Sequence, residues 1–250
     1  MKYEIYIPGE PKNEAGLALD QMMKDEKPGV SYADMIRYRM SGAASKECTD
    51  IYFVAHENGI GYSRLWHGWG KHENAIGNFG NFKTLEECQG KGIGKEMMKL
   101  WHQDITTRKD LPLGLFCTSR LHTLDYFYRP VGFRPAIRGM EAGPLYLPLG
   151  DSPETFQQFC DMYYQPADFL ISRPANIEHR HELDLLLRFA LQDMGKEFRI
   201  GDNVKMEECL LYKPGQANML FTEQGRCVGW EVDGGMQVHP QYENCKIERT

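Results

Sequence analysis

Several things are missing from this chain, and each absence closes off a class of function. No apolar run comes near the ~20 consecutive residues that span a bilayer, so no membrane association is expected. No Cys-x-x-Cys pair occurs: the seven cysteines, Cys48, Cys88, Cys117, Cys160, Cys209, Cys227 and Cys245, are scattered and odd in number. That scatter fits reduced thiols better than a disulfide framework or a zinc site, and no metal site is expected. A basic surplus is lacking too. With 29 Lys and Arg against 35 Asp and Glu, the net charge of −6 argues against broad nucleic-acid binding and is mildly compatible with a cationic amine ligand. The stretch Met1-Lys2-Tyr3-Glu4-Ile5-Tyr6-Ile7-Pro8 alternates polar and apolar residues. It reads as a strand rather than the apolar core of a signal peptide, so the cytoplasm is the expected location.

What is present is ordinary in amount. The 250 residues are 42% hydrophobic and 26% charged, enough for one large domain or two smaller ones. After the first strand, a helical stretch over 13–27 offers Leu17, Leu19, Met22 and Met23 as an apolar face before Pro28-Gly29 breaks it. Ser31 caps a second helix to Met40, and Ile51–Ala55, a Glu57-Asn58-Gly59 turn and Ile60–Trp66 read as a hairpin. In the next strand, over 75–84, Gly77 and Gly80 suggest a bulge or a close ligand. A strong helix follows, with Met97, Met98, Leu100, Trp101 and Ile105 as its buried face, then a strand at 113–117, a helix at 121–128 and a strand at 145–149. The order over 1–150 is β-α-α-β-β-β-α-β-α-β.

Residues 151–250 read as a smaller C-terminal α/β domain. It contains a helix at 155–164, a Gln165-Pro166 linker, a strand from Phe169 and an amphipathic helix over 181–194. Its hairpin Met219–Trp230 echoes the earlier one, as in a degenerate half-repeat that stops before any glycine loop. Trp230, Tyr212 and Phe221 are read as core.

The most informative segment is Gln89-Gly90-Lys91-Gly92-Ile93-Gly94-Lys95, between a strand and a helix. Main-chain N–H groups at a helix start present a positive dipole end to an anion, and glycines let a phosphate approach. Lys91 and Lys95 add charge. A Walker loop would need Gly-Lys-Ser/Thr, and a dinucleotide fingerprint needs G-x-G-x-x-G in a βαβ unit; neither matches. A nucleotide-binding protein using this loop would prefer ATP or NAD over other ligands.

Gln89-x-x-Gly92-x-Gly94 at a helix start resembles the coenzyme A signature of the GNAT superfamily of N-acetyltransferases. Tyr128-Arg129-Pro130-Val131-Gly132-Phe133 resembles that family's Y-x-x-x-G-F segment, in the expected order. The resemblance covers about residues 1–150 and implies a mixed α/β (α+β) fold with a central, mostly antiparallel sheet flanked by helices. It implies acetyl-CoA as cofactor and acetyl transfer to a primary amine on a small molecule or peptide. Gln89, Gly90, Lys91, Gly92, Ile93, Gly94 and Lys95 would hold the pyrophosphate, and the main chain at Phe82, Lys83 and Thr84 would run beside the pantetheine arm. One N–H there would stabilise the thioester oxygen, and Tyr128 would protonate the departing thiolate.

The chain departs from the family pattern where an asparagine often stands seven residues before the tyrosine: here it has Leu121, with Ser119 nearby. Glu73, His72, His67 and Glu141 are candidate bases by position, each read as a solvated surface residue, and no base is named. His179-Arg180-His181 reads as a solvated helix start, because no further ligand shares a metal spacing. Cys88 as a nucleophile is not needed for direct transfer. The rival class is a non-catalytic acyl-CoA sensor. The C-terminal part is expected to cap the acceptor cleft, mediate homodimer contacts, or both.

Overall fold

A computed structural model of the protein describes residues 1–24, 26, 31–197, 200–213 and 215–249; the break expected at Pro28-Gly29 lies outside the described residues. The alternating opening forms β1 (Lys2–Tyr6), which pairs antiparallel with β2 (Cys48–Glu57). Between them run α1 (Glu14–Met23), capped by the Asn13 side chain on the Gly16 N–H, and α2 (Ser31–Met40). The face of α1 differs from expectation at one position. Leu19, Met22 and Met23 are buried, while Leu17 is 55% exposed because it sits on the opposite side of the helix.

The expected hairpin joins β2 to β3 (Ile60–Gly70) through Asn58 and Gly59, both at positive φ, which suits the right-handed twist of the flanking strands. β4 (Gly77–Thr84) lies beside β3, and α3 (Ile93–Thr107) crosses the face of β2 and β3. Its Met97, Met98, Trp101 and Ile105 are buried, and Trp101 Nε1 donates to His67 Nδ1 at 3.1 Å. Each such large side chain contributes about 1.5–3 kcal/mol through burial. Next come β5 (Gly114–Ser119), α4 (Leu121–Thr123) with its π-helical continuation Leu124–Tyr128, β6 (Arg134–Pro135) and β7 (Gly143–Pro148). The seven strands stand in the order β1-β2-β3-β4-β5-β7-β6, antiparallel except between β4 and β5.

The C-terminal part holds α5 (Phe156–Tyr163), β8 (Phe169–Pro174), α6 (Arg180–Leu185) with a π-helical continuation Leu186–Ala190, α7 (Leu191–Asp193) and α8 (Ile200–Tyr212). β9 (Ala217–Phe221), β10 (Cys227–Val232), β11 (Gly235–Val238) and β12 (Lys246–Arg249) complete a sheet in the order β11-β10-β9-β8-β12. The run β8, helices, β9, β10, β11 has the same order and antiparallel pairing as β1, helices, β2, β3, β4.

Core packing does not respect the middle of the chain. One cluster joins Ile76, Phe116 and Tyr146 to Phe156, Phe159, Phe189, Leu220 and Val228. Trp230 and Phe221 are buried as expected, but Tyr212 is 53% exposed and reaches across to Asp34 on α2. It ends α8 on the face turned to α2, so the phenol finds a carboxylate rather than a core. All seven cysteines are free thiols.

Candidate functional site

The site begins with an irregularity in β4. The β3–β4 register runs Ser63↔Thr84 and Arg64↔Lys83, then jumps to Trp66↔Gly80, so Asn81 and Phe82 together oppose Leu65. This is the bulge that the strand glycines suggested, centred one residue later. Asn81 takes φ +52°, a left-handed conformation that asparagine tolerates, and its Oδ1 accepts from Arg64 Nε at 2.9 Å. On the other side, β4 pairs with β5 only at Gly77↔Leu115 and Asn78↔Phe116. Beyond that point, among the described residues, the edge of β4 facing β5 carries no ladder. Main-chain groups on that edge from Phe79 to Lys83 are left to pair with a ligand that lies along them.

A cavity of about 550 Å³ occupies the divergence, walled by β4, the end of β5, Tyr128 and the side chains of α6. Tyr128 is brought here by the π-helical turn and is 8% exposed, with its ring edge-on to Phe79 and Phe133. Burial, then the neighbouring Cys117 thiol, push its pKa above the usual phenol range, against a smaller opposing hydrogen bond from Ser119. The phenol therefore keeps its proton through the neutral range. Ser119, noted in the sequence only as a neighbour of the departing position, touches the candidate acid. Leu121 is 59% exposed.

The glycine loop stands at the start of α3. Gly90 and Gly92 have φ of +73° and +80°, and a Cβ on either would meet nothing within 4 Å. The loop is thus an open main-chain cradle, and the first N–H groups of α3 lack helical acceptors. Ile93 is buried beneath it, while Lys91 and Lys95 are exposed beside it. Gly94 lies under two rings: a Cβ there would come within 3.2 Å of Phe127 and 3.4 Å of Phe82. Gln89 Nε2 donates to the Thr84 carbonyl at 3.2 Å, tying the loop to the end of β4, and Thr84 Oγ1 lies 2.9 Å from Ser63 Oγ. Lys83 is exposed and pairs with Glu26 at 3.3 Å. Cys88 is buried in the core below the loop, away from a nucleophile's surroundings. The residues present fit a diphosphate-bearing thioester carrier.

None of the four candidate bases lines this cavity. His67 is fully buried among Phe53, Trp69 and Trp101, and burial and then Arg108 hold its pKa well below the usual imidazole value, so it is core rather than surface. Glu141 lies exposed on a different surface hollow, and Glu73 is exposed in the β3–β4 loop next to a half-buried His72.

The wall opposite β4 went unseen in the sequence. Arg180, Asp184 and Arg188 project from successive turns of one helix into the cavity. Asp184 is fully buried and accepts from Asn78 Nδ2 (3.0 Å), Asn203 Nδ2 (2.7 Å) and Arg188 (3.2 Å). Burial alone would raise its pKa, but Arg188 and Arg180 outweigh this and hold the carboxyl below its ordinary range. His181 is fully buried: Nδ1 lies 2.6 Å from Asn78 Oδ1 and Nε2 lies 2.8 Å from Arg39 Nη1. Those partners make Nδ1 the donor and Nε2 the acceptor, a neutral ring. Burial, then Arg39 and Arg180, hold its pKa well below the usual value. Arg39 in turn pairs with Asp50 at 2.7 Å. The helix start at 179–181 is therefore a buried seam between the two sheets, not a solvated end. The i, i+4, i+8 spacing of 180, 184 and 188, flanked along one side by Leu183 and Leu187, was the available signal.

Residues 48–135 match the family model of the acetyltransferase (GNAT) domain. No curated protein sequence matches the chain. Among solved structures, an acyl-CoA N-acyltransferase from Pseudomonas aeruginosa aligns at 14% identity and a TM-score of 0.41, covering 58% of this chain and 97% of that one. A GNAT family acetyltransferase from Brucella melitensis, solved in complex with acetyl-CoA, aligns at 15% identity and a TM-score of 0.40, covering 62% and 92%.

Proposed function

We propose that this chain, in which residues 48–135 match the GNAT acetyltransferase domain model, moves an acetyl group from acetyl-CoA to a primary amine bound in the cavity between β4, Tyr128 and α6. The observation that carries this reading is the loss of β4–β5 pairing after Asn78, directly before a bulge and an open glycine cradle. When bound, acetyl-CoA supplies a thioester carbonyl open to direct attack by an amine. Main-chain groups of Gln89, Gly90, Lys91, Gly92, Ile93, Gly94 and Lys95, with the two lysine charges, would hold its diphosphate. Phe82, Lys83 and Thr84 would offer their main-chain groups along the arm. A β4 N–H turned to the thioester oxygen would polarise it; losing such a donor typically costs roughly 3–4 kcal/mol. Tyr128 holds its proton at Oη and is the group suited to give it to a departing thiolate.

The acceptor is an amine on a small molecule or peptide. Arg180, Asp184 and Arg188 line its side of the cavity, Asp184 holding the two arginines in place. Residues 151–250 are, in our reading, a half-repeat recruited to wall the acceptor side, and the repeated strand–helix order supports this. Cytoplasmic location and a homodimer complete the proposal. Among the described residues no helix is long and apolar enough to cross a membrane, and a sedimentation run reads the dimer.

One observation favours the rival reading, a non-catalytic acyl-CoA sensor: no candidate base faces Tyr128. Thiol release from acetyl-CoA over a panel of polyamines, amino acids and peptides separates the two. Turnover that falls in Tyr128→Phe supports the enzyme, and tight binding without release of thiol supports the sensor.

A further inference from the structure

We propose that His72, His179 and Glu182 form a binding site for a divalent transition-metal ion of the zinc type, where the β3–β4 loop meets the start of α6. The side chains come from two distant parts of the chain, His72 from the β3–β4 loop of the first sheet and His179 and Glu182 from one helix start, and their ligand atoms all lie within 4.8 Å of one another. His72 Nε2 is 3.2 Å from Glu182 Oε1, and His179 Nδ1 is 4.0 Å from Glu182 Oε2. Ligands bound to zinc at about 2.0–2.2 Å in a tetrahedron stand about 3.3–3.6 Å apart, so a small closure of side chains completes the geometry.

What singles out this cluster is that its atoms are unmet. His179 Nδ1 and Glu182 Oε2 are buried without a hydrogen-bond partner, His72 Nε2 meets only Glu182 Oε1, and Glu182 is only 1% exposed. Such atoms are rarely left bare in a folded protein, and an unplaced ion is one of the ordinary reasons. A simple His72–Glu182 ion pair would leave His179 Nδ1 and the second carboxylate oxygen unmet.

The surroundings are those of a ligand set. His72 Nδ1 lies 2.9 Å from the Glu73 carbonyl, which can only accept, so Nδ1 carries a proton and Nε2 is the nitrogen turned inward, the one an ion would bind in place of a proton. On His179 the other nitrogen, Nε2, lies 3.4 Å from Glu178 Oε1, here a carboxylate behind the imidazole. The Ile76 N–H donates to Glu182 Oε1 at 3.1 Å and orients the carboxylate. Gly70 makes the room: a Cβ there would stand 2.1 Å from the Glu178 carbonyl and 2.7 Å from the His72 ring.

Two imidazoles and one carboxylate suit zinc rather than calcium or magnesium, which take oxygen ligands. The side chains of His72 and His179 are 19% and 14% exposed, which leaves an entry path and a fourth position for water. His181, two residues from His179, takes no part, because Asn78 and Arg39 occupy both its nitrogens. The ion would clamp α6 to the first sheet and so hold Arg180 and Asp184 against the cavity.

The test is zinc titration of the full chain after chelation and dialysis, followed by calorimetry and elemental analysis, with no acetyl-CoA present. The expected result is one zinc per chain, with affinity reduced about 100-fold or more in His72→Ala and in His179→Ala and unchanged in His102→Ala on the exposed side of α3. His72 lies on a loop, and circular dichroism verifies that its variant is folded. Zinc should also raise the wild-type melting temperature without moving that of His72→Ala. Folded wild-type protein that takes up no zinc, or His72→Ala and His179→Ala variants that keep wild-type affinity, would overturn the site.

Discussion

The glycine loop of α3 and the polar seam of α6 both bring charge to the edge of a hydrophobic core, and they do it by opposite means. The loop uses main-chain groups of consecutive residues, open to solvent, with nothing packed above Gly90 or Gly92. The seam uses side chains collected from β2, β4, α2, α6 and α8, buried except for a half-buried Asn203 at its end, each compensated by the next: Asp50, Arg39, His181, Asn78, Asp184 and Asn203. A site of the first kind waits for a ligand to supply its counter-charge. A site of the second kind is already neutralised and acts as a scaffold. The difference predicts where mutations should cost stability and where they should cost binding.

The largest effect belongs to the scaffold. Replacing Asp184 by Ala removes the acceptor shared by Arg188, Asn78 and Asn203, although Asn78 keeps the Phe116 carbonyl and Arg188 keeps Thr118, and a loss of about 3 kcal/mol is expected in urea unfolding. A cost below about 1 kcal/mol would mean that the seam is not the rigid element described. Between the two regions stands Tyr128. Its replacement by Phe keeps the packing against Phe79 and Phe133 and removes only the Oη proton. Turnover should fall about 100-fold, roughly 2.7 kcal/mol, with acetyl-CoA affinity unchanged. Equal kcat in the two proteins would remove the phenol from the mechanism.

At the loop the expectation reverses. Gly92→Val places a β-branched residue at φ +80°, and should weaken acetyl-CoA binding about tenfold while costing only the local backbone strain of about 1–2 kcal/mol in stability, less than Asp184→Ala. A variant that melts much earlier but binds as before would erase the contrast between the two regions. The smallest effect is a pH dependence. Burial, then Lys196, hold the His239 pKa down to about 4, below its ordinary 6.5, and its ring stacks on Tyr164. Below pH 6.5 the unfolded chain takes up a proton there before the folded one does, so stability should decline by about 1 kcal/mol between pH 6.5 and 4. His239→Gln should flatten that part of the curve.

The same contrast explains what could be read in advance. Alternation at 2–7, the Asn58-Gly59 turn, the buried stripe of α3 and the loop at 89–95 are local patterns, and each lies within a residue or two of its expected place. The β4 bulge was legible through Gly77 and Gly80, though the residue in the left-handed conformation is Asn81. Tyr128 was legible because its motif is contiguous. What failed was long-range. His67 looked like a surface residue because nothing nearby in sequence announces that Trp101 will donate to it. His179, Arg180 and His181 looked solvated because their partners, His72, Glu207, Asn78 and Arg39, lie 27 to 142 residues away. Tyr212 looked like core because an aromatic near a helix end gives no hint that Asp34 will meet it. The helix at 200–212 and the last two strands lacked the contiguous motifs that mark the first half.

The open edge of β4 and the cradle beside it should take up a diphosphate-bearing thioester carrier, and calorimetric titration of the full chain with acetyl-CoA tests this most directly. Saturable binding of one molecule per chain, weakened in Gly92→Val and retained in Tyr128→Phe, is the predicted result. Folded protein that shows no uptake, or binds equally well with valine at position 92, would contradict it.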